Sequence, residues 1–134
     1  MIDFDYFQSL CRLRIFVQHK MKNMEWIINE GDTVRQIACV NDIATAVKNV
    51  MNDSSEFVIL TPPEPIGDCN FMQASKISED NLHFEISILQ SSGKNRVYSQ
   101  ACGLDTAIFL FSQYFMENVA PNVSEWTFEG EYDA

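Results

Sequence analysis

The chain has 134 residues, 46% hydrophobic and 12% aromatic, with nine Lys and Arg against 19 Asp and Glu for a formal net charge of −10. That apolar content excludes a disordered tail, and no apolar run approaches the roughly 18 residues that a membrane-spanning helix needs. The acidic balance argues against a conventional DNA- or RNA-binding domain, which meets phosphate with cations. What remains is one soluble acidic domain, long enough to bury a core without staples.

Residues 1–23 read as a helical extension of an α+β core with an acidic tail, residues 24–134. Tyr6, Phe7, Leu10, Leu13, Phe16, Val17 and Met21 recur at spacings of three and four, with Arg12, Arg14, Gln18 and Lys20 elsewhere on the wheel. A secretory signal opens with positive charge and an unbroken apolar stretch, and this segment has neither. Residues 1–24 hold four basic and two acidic groups, whereas residues 25–134 hold five basic and 17 acidic. Two readings of the segment stand. It is a helix added to the domain, or an optional extension before a start at Met21 or Met24.

Glu25 to Asn29 is a short strand candidate closed by Glu30-Gly31-Asp32. Asn41 or Asp42 is placed to cap a helix over residues 43–52, with Ile43, Ala46, Val47, Val50 and Met51 on one face. Glu56 to Thr61 is a continuous apolar run of strand length, as a central strand requires. Three prolines between 62 and 65 deny ladder donors, so Pro62 to Asp68 is a loop. Cys69 to Ser75 reads as a strand. Leu82, Phe84, Ile86 and Ile88 then alternate with His83, Glu85 and Ser87, the clearest period of two in the chain. Ser91 to Asn95 is a hairpin turn and Arg96 to Ala101 the returning strand. Gly103 opens a helix whose inner stripe is Ala107, Ile108, Phe111, Tyr114 and Phe115, and Ser124 to Ala134 is an acidic, aromatic tail. Strands joined by short loops pair antiparallel. The expected class is α+β: an antiparallel, meander-like sheet of about five strands with helices packed mainly on one face.

The chemistry-bearing residues do not assemble into a motif. Cys11, Cys39, Cys69 and Cys102 are spaced 28, 30 and 33 apart, with no C-x-x-C pair, and their apolar or strand-like surroundings suit small buried thiols. His83 and Glu85 share the polar phase of one strand, which fits a solvated pair better than a tuned base. Cys69 follows Asp68, whose charge opposes a thiolate. There is no G-x-S-x-G, glycine-rich phosphate loop, H-E-x-x-H or calcium-loop spacing. We therefore expect no catalytic residues, no metal and no cofactor.

The surplus of carboxylates is the remaining signal. It attracts cationic protein surfaces as well as keeping a protein dispersed. The acids accompany exposure-prone aromatics or prolines at Glu64 and Asp68, at Glu79 and Asp80, and in the tail at Glu125, Trp126, Glu129, Glu131 and Tyr132. These nine residues are the expected partner-binding set, with Trp126 and Tyr132 having the character of interface anchors.

The segments PPEPIGDCNFMQ, LHFEISIL and SEWTFE, in a small acidic α+β domain, resemble immunity proteins of bacterial contact-dependent inhibition and polymorphic toxin systems. The resemblance covers roughly residues 24–130. It implies a cytoplasmic, non-enzymatic protein that binds a cognate toxin domain, often a basic nuclease, and blocks its active site. It implies no direct contact with nucleic acid or membrane. The competing expectations are a regulatory or structural module, such as a homodimer through the sheet edge and N-terminal helix, and an enzyme built around His83, Glu85 and Cys69.

Overall fold

The structure is a computed structural model and describes residues 25–133. The helical extension expected over residues 1–23 lies outside the described residues. The elements run β1 (Ile27–Glu30), β2 (Thr33–Gln36), α1 (Val40–Met51), β3 (Phe57–Thr61), β4 (Cys69–Ser78), β5 (Asn81–Leu89), β6 (Lys94–Cys102), α2 (Leu104–Glu117) and β7 (Thr127–Asp133). The strands form one antiparallel sheet in the order β2-β1-β3-β4-β5-β6-β7. The α+β class and the meander are as expected. The sheet has seven strands where about five were expected.

The two additional strands are the edges. Among the described residues β2 pairs only with β1, and its four residues are mostly exposed, so no apolar alternation marks it. Likewise β7 pairs there only with β6 and carries its apolar residues among acids. Near their junction the register slips between Val97 and Tyr98. Gly130 sits there at φ +154°, and a Cβ on it would stand 3.0 Å from the Tyr132 hydroxyl. Such an irregularity, with charges along the strand, is a common way to blunt a sheet edge against further pairing.

The N-cap of helix α1 lies two or three residues earlier than expected. Cys39 occupies the N-cap with extended backbone and no side-chain bond, and Asp42 falls in the first turn. There it complements the positive end of the helix dipole instead of capping. Helix α2 has Gly103 as its N-cap and ends on Asn118 in the left-handed region (φ 56°), a conformation that asparagine tolerates better than most residues. In the β5–β6 turn, Gly93 at φ +86° supplies the positive dihedral the reversal requires.

Both helices lie on the same face of the sheet. Ile43, Ala46, Val47 and Val50 of α1 join Ala107, Leu110, Phe111 and Tyr114 of α2 over Ile28, Val58, Leu60, Met72, Ala74, Leu82, Phe84 and Ile86. The Phe84 and Phe111 rings are 4.8 Å apart, and Trp26 meets Tyr114 and Phe115 edge-on at 5.3 and 5.1 Å. Tyr114 donates its hydroxyl to the Cys69 carbonyl, which fastens α2 to the start of β4. Glu30 does the same at the other side. It accepts from Arg35 (3.1 Å), Asn49 (2.9 Å) and Ser55 (2.7 Å), joining the β1–β2 hairpin to α1 and to the approach to β3.

Because Phe84 is fully buried between the helices and Trp126, Phe84→Ala is expected to cost about 3–5 kcal/mol. Phe128→Ala, at a side chain 55% exposed, should cost about 0.5 kcal/mol or less. Urea denaturation of the two variants checks the contrast.

Candidate functional site

Strand register divides the nine expected binding residues between the two ends of the sheet and one edge. Glu64 and Asp68 lie in the loop that leads into β4, at the end where β3 finishes and β6 begins. Glu79 and Asp80 form the β4–β5 turn at the opposite end. A ten-residue strand puts these two groups about 30 Å apart. Glu125 and Trp126 precede Thr127, which pairs with Ser99 near the end of β6, and so belong with Glu79 and Asp80. Glu129, Glu131 and Tyr132 run along the β7 edge.

Several of the nine are engaged within the domain. Trp126 is half-buried and meets Phe84 edge-on at 6.0 Å, so its ring contributes to the main core. Tyr132 is half-buried against a second cluster of Phe57, Ile59, Phe71 and Val97. Glu131 pairs with Arg96 at 3.3 Å, and the same guanidinium lies 5.9 Å from the Phe128 ring centre. Glu129 accepts a 2.6 Å bond from the Ser99 hydroxyl. Asp68 follows Gly67 in a two-residue turn closed by reciprocal backbone bonds between Ile66 and Cys69. Its φ of 65° is one that aspartate adopts more readily than most residues.

Glu64, Glu79, Asp80 and Glu125 are exposed, and no ion pair or side-chain hydrogen bond holds them among the described residues. Three of these four lie at the end of the sheet formed by the β4–β5 turn. Asp105, exposed in the first turn of α2, joins them there. A Cβ on Gly103 would stand 3.9 Å from the Asp80 carbonyl oxygen, which fixes the start of α2 beside that turn. Sequence reading placed Asp105 near a helix cap and left it out of the binding set. Lys76 approaches this end too, but it is bonded to Asp53 at 3.0 Å. The result is a rim of Glu79, Asp80, Asp105 and Glu125.

The potential enzymatic trio does not converge. Cys69 is fully buried on the helix side of the sheet, and burial pushes its thiol up to about 12. His83 and Glu85 stand on the other side. Cys102 is also buried and its thiol raised by burial, whereas Cys39 is exposed at the α1 N-cap, contrary to the expected burial.

His83 and Glu85 are also less solvated than their polar phase implied. The ring and carboxylate meet at 2.7 Å with side chains only 14% and 12% exposed. The bond to Glu85 is the main cause that raises the histidine above its usual value; burial opposes it, and the charges of Glu85 and Glu129 add to it. No group of three or more metal-ligating side chains forms among the described residues, and none of their helices is long and apolar enough to cross a membrane. Comparison with protein-family models, curated proteins and solved structures gives no match.

A raised histidine pKa stabilises the fold at pH below the unfolded value near 6.5, and that contribution is lost as pH rises through the folded value. His83→Gln is therefore expected to lose most relative to the parent near pH 5.5, with the gap narrowing toward pH 8.5. Urea midpoints at about these two pH values measure it.

Proposed function

We propose that the protein is an immunity-type inhibitor. It binds a basic toxin domain through the rim of Glu79, Asp80, Asp105 and Glu125 and occludes that domain's active site. The observation that supports this reading most is the uncompensated charge of the rim. Of the five basic side chains in residues 25–134, Arg35, Lys76 and Arg96 are already paired within the domain. Among the described residues no cation is bonded to the rim carboxylates, which face water.

The mechanism is physical. A nuclease or similar cleft presents Lys and Arg to phosphate, and a rigid row of carboxylates occupies the same positions. Long-range attraction raises the association rate, and desolvated contacts at the centre of the interface set the dissociation rate. The rim residues sit on a tight turn, a helix start and a strand approach, so little ordering cost accompanies binding. Such a protein acts in the cytoplasm, where the toxin domain is met.

The test uses the toxin domain encoded beside this gene as the partner. Glu79→Lys with Asp80→Lys should slow association about tenfold or more at low salt, and Glu64→Lys much less. Raising salt from about 0.05 to 0.5 M should slow association of the parent far more than it speeds dissociation. Equal effects at Glu64 and at the rim, or a rate indifferent to salt, would contradict the proposed interface.

A further inference from the structure

The two helices cover one face of the sheet. The opposite face is also buried, although no described helix lies over it. Ile59 and Ser87 are 0% exposed, Phe57 1% and Gln73 2%. Its apolar centre is Phe57, Ile59, Phe71 and Val97, with Tyr132 at the margin. Asn29 Oδ1, Thr61 Oγ1, Gln73 Oε1 and Ser87 Oγ are buried there without a hydrogen-bond partner. Register puts Glu85 on the same face, bonded at 2.7 Å to its neighbour His83, and Glu129 reaches it through Ser99. The four basic residues of the sheet, Arg35, Lys76, Lys94 and Arg96, align with the helix-side residues Ile28, Leu82 and Tyr98 instead. The second face is thus apolar at its centre, rich in oxygen acceptors and without a Lys or Arg of its own.

We propose that this face is the docking surface for residues 6–21 of the same chain. The segment complements it in pattern, charge and reach. Tyr6, Phe7, Leu10, Leu13, Phe16, Val17 and Met21 supply one apolar stripe, and residues 1–24 bring four basic groups against two acidic. Sixteen residues at helical rise span about 24 Å. Seven strands at about 4.8 Å are wide enough to receive them. Residues 22–25 form the tether, able to span about 14 Å, and it joins the sheet at Trp26, whose ring is held on the helix side, next to Ile27, which lies on this face and is 3% exposed. The segment is then an integral layer of the domain and not an optional extension. This inference does not rest on the proposed inhibitor role.

The test places one reporter thiol on the face of the full chain. Ser75→Cys is made with Cys11→Ser and Cys39→Ser, leaving the buried Cys69 and Cys102, and maleimide labelling is followed against the same chain without Ser75→Cys. Labelling at residue 75 should be about 100-fold slower than at Cys39 of the parent chain. Adding Leu10→Asp with Leu13→Asp should bring it within about tenfold of the Cys39 rate while far-ultraviolet circular dichroism keeps its sheet signal. Fast labelling in the parent background, or equal protection in the double variant, would overturn the proposal. Nuclear Overhauser contacts in the unsubstituted chain provide a second measurement that needs no variant. Leu10, Leu13 and Phe16 should contact the methyls of Ile59 and Val97 within one molecule. Contacts found only between differently labelled molecules would assign the face to a second copy and overturn the proposal, as would no contacts at all.

Discussion

Shortage of cations shapes this domain. Over residues 25–134, five basic side chains serve 17 carboxylates. The pairs that form are placed where they fasten elements together. Glu30 and Arg35 close the β1–β2 hairpin, Lys76 and Asp53 link β4 to the end of α1, and Arg96 and Glu131 bind the last strand to β6. The Lys76–Asp53 and Arg96–Glu131 pairs are open to solvent and each worth little in stability. The consequence is distributional: with three bases committed, Glu64, Glu79, Asp80, Asp105 and Glu125 stand exposed in turns, loops and a helix start, where water solvates them. Four of them fall at one end of the sheet, and that placement turns a bulk composition into a surface with a direction.

Glu30 shows how a carboxylate is kept charged when it cannot be left in water. Burial works against its ionised form, but hydrogen bonds from Ser55, Asn49 and Arg35, with the Arg35 charge, outweigh it and hold the group below its usual range. The stabilisation is present above the unfolded pKa and is lost as pH falls through the folded one. Among the described residues the rim acids have no such donors. In the proposed complex, Lys or Arg of the partner would supply them.

Much of the architecture was legible because the hydrophobic period is strong at the centre of the sheet. The unbroken FVILT of β3 is buried at every position, and alternation in β5 places Leu82, Phe84 and Ile86 on the helix side. The edges were less legible. β2 is TVRQ with one half-buried residue, and β7 mixes Phe128 and Tyr132 with three acids, so neither shows a one-sided apolar pattern. Their strand character comes from pairing with a neighbour, a tertiary effect that local propensity does not record. The same limit applies to the acids. Sequence spacing grouped Glu64 with Glu79 by chemistry, whereas the direction of β4 sends them to opposite ends. It also assigned Trp126 to a partner, while the chain returns it to Phe84. His83 and Glu85 looked solvated because alternation identifies a polar phase but not whether that phase is covered.

The proposed partner-binding surface is the end of the sheet at the β4–β5 turn. Mapping amide chemical-shift changes on saturation with the cognate toxin domain tests it most directly. The largest changes are expected at Glu79, Asp80, Asp105 and Glu125, with the β3–β4 loop at Glu64 unmoved. Changes centred on that loop, on the exposed Phe109 and Met116 of α2, or spread evenly over the surface would contradict it.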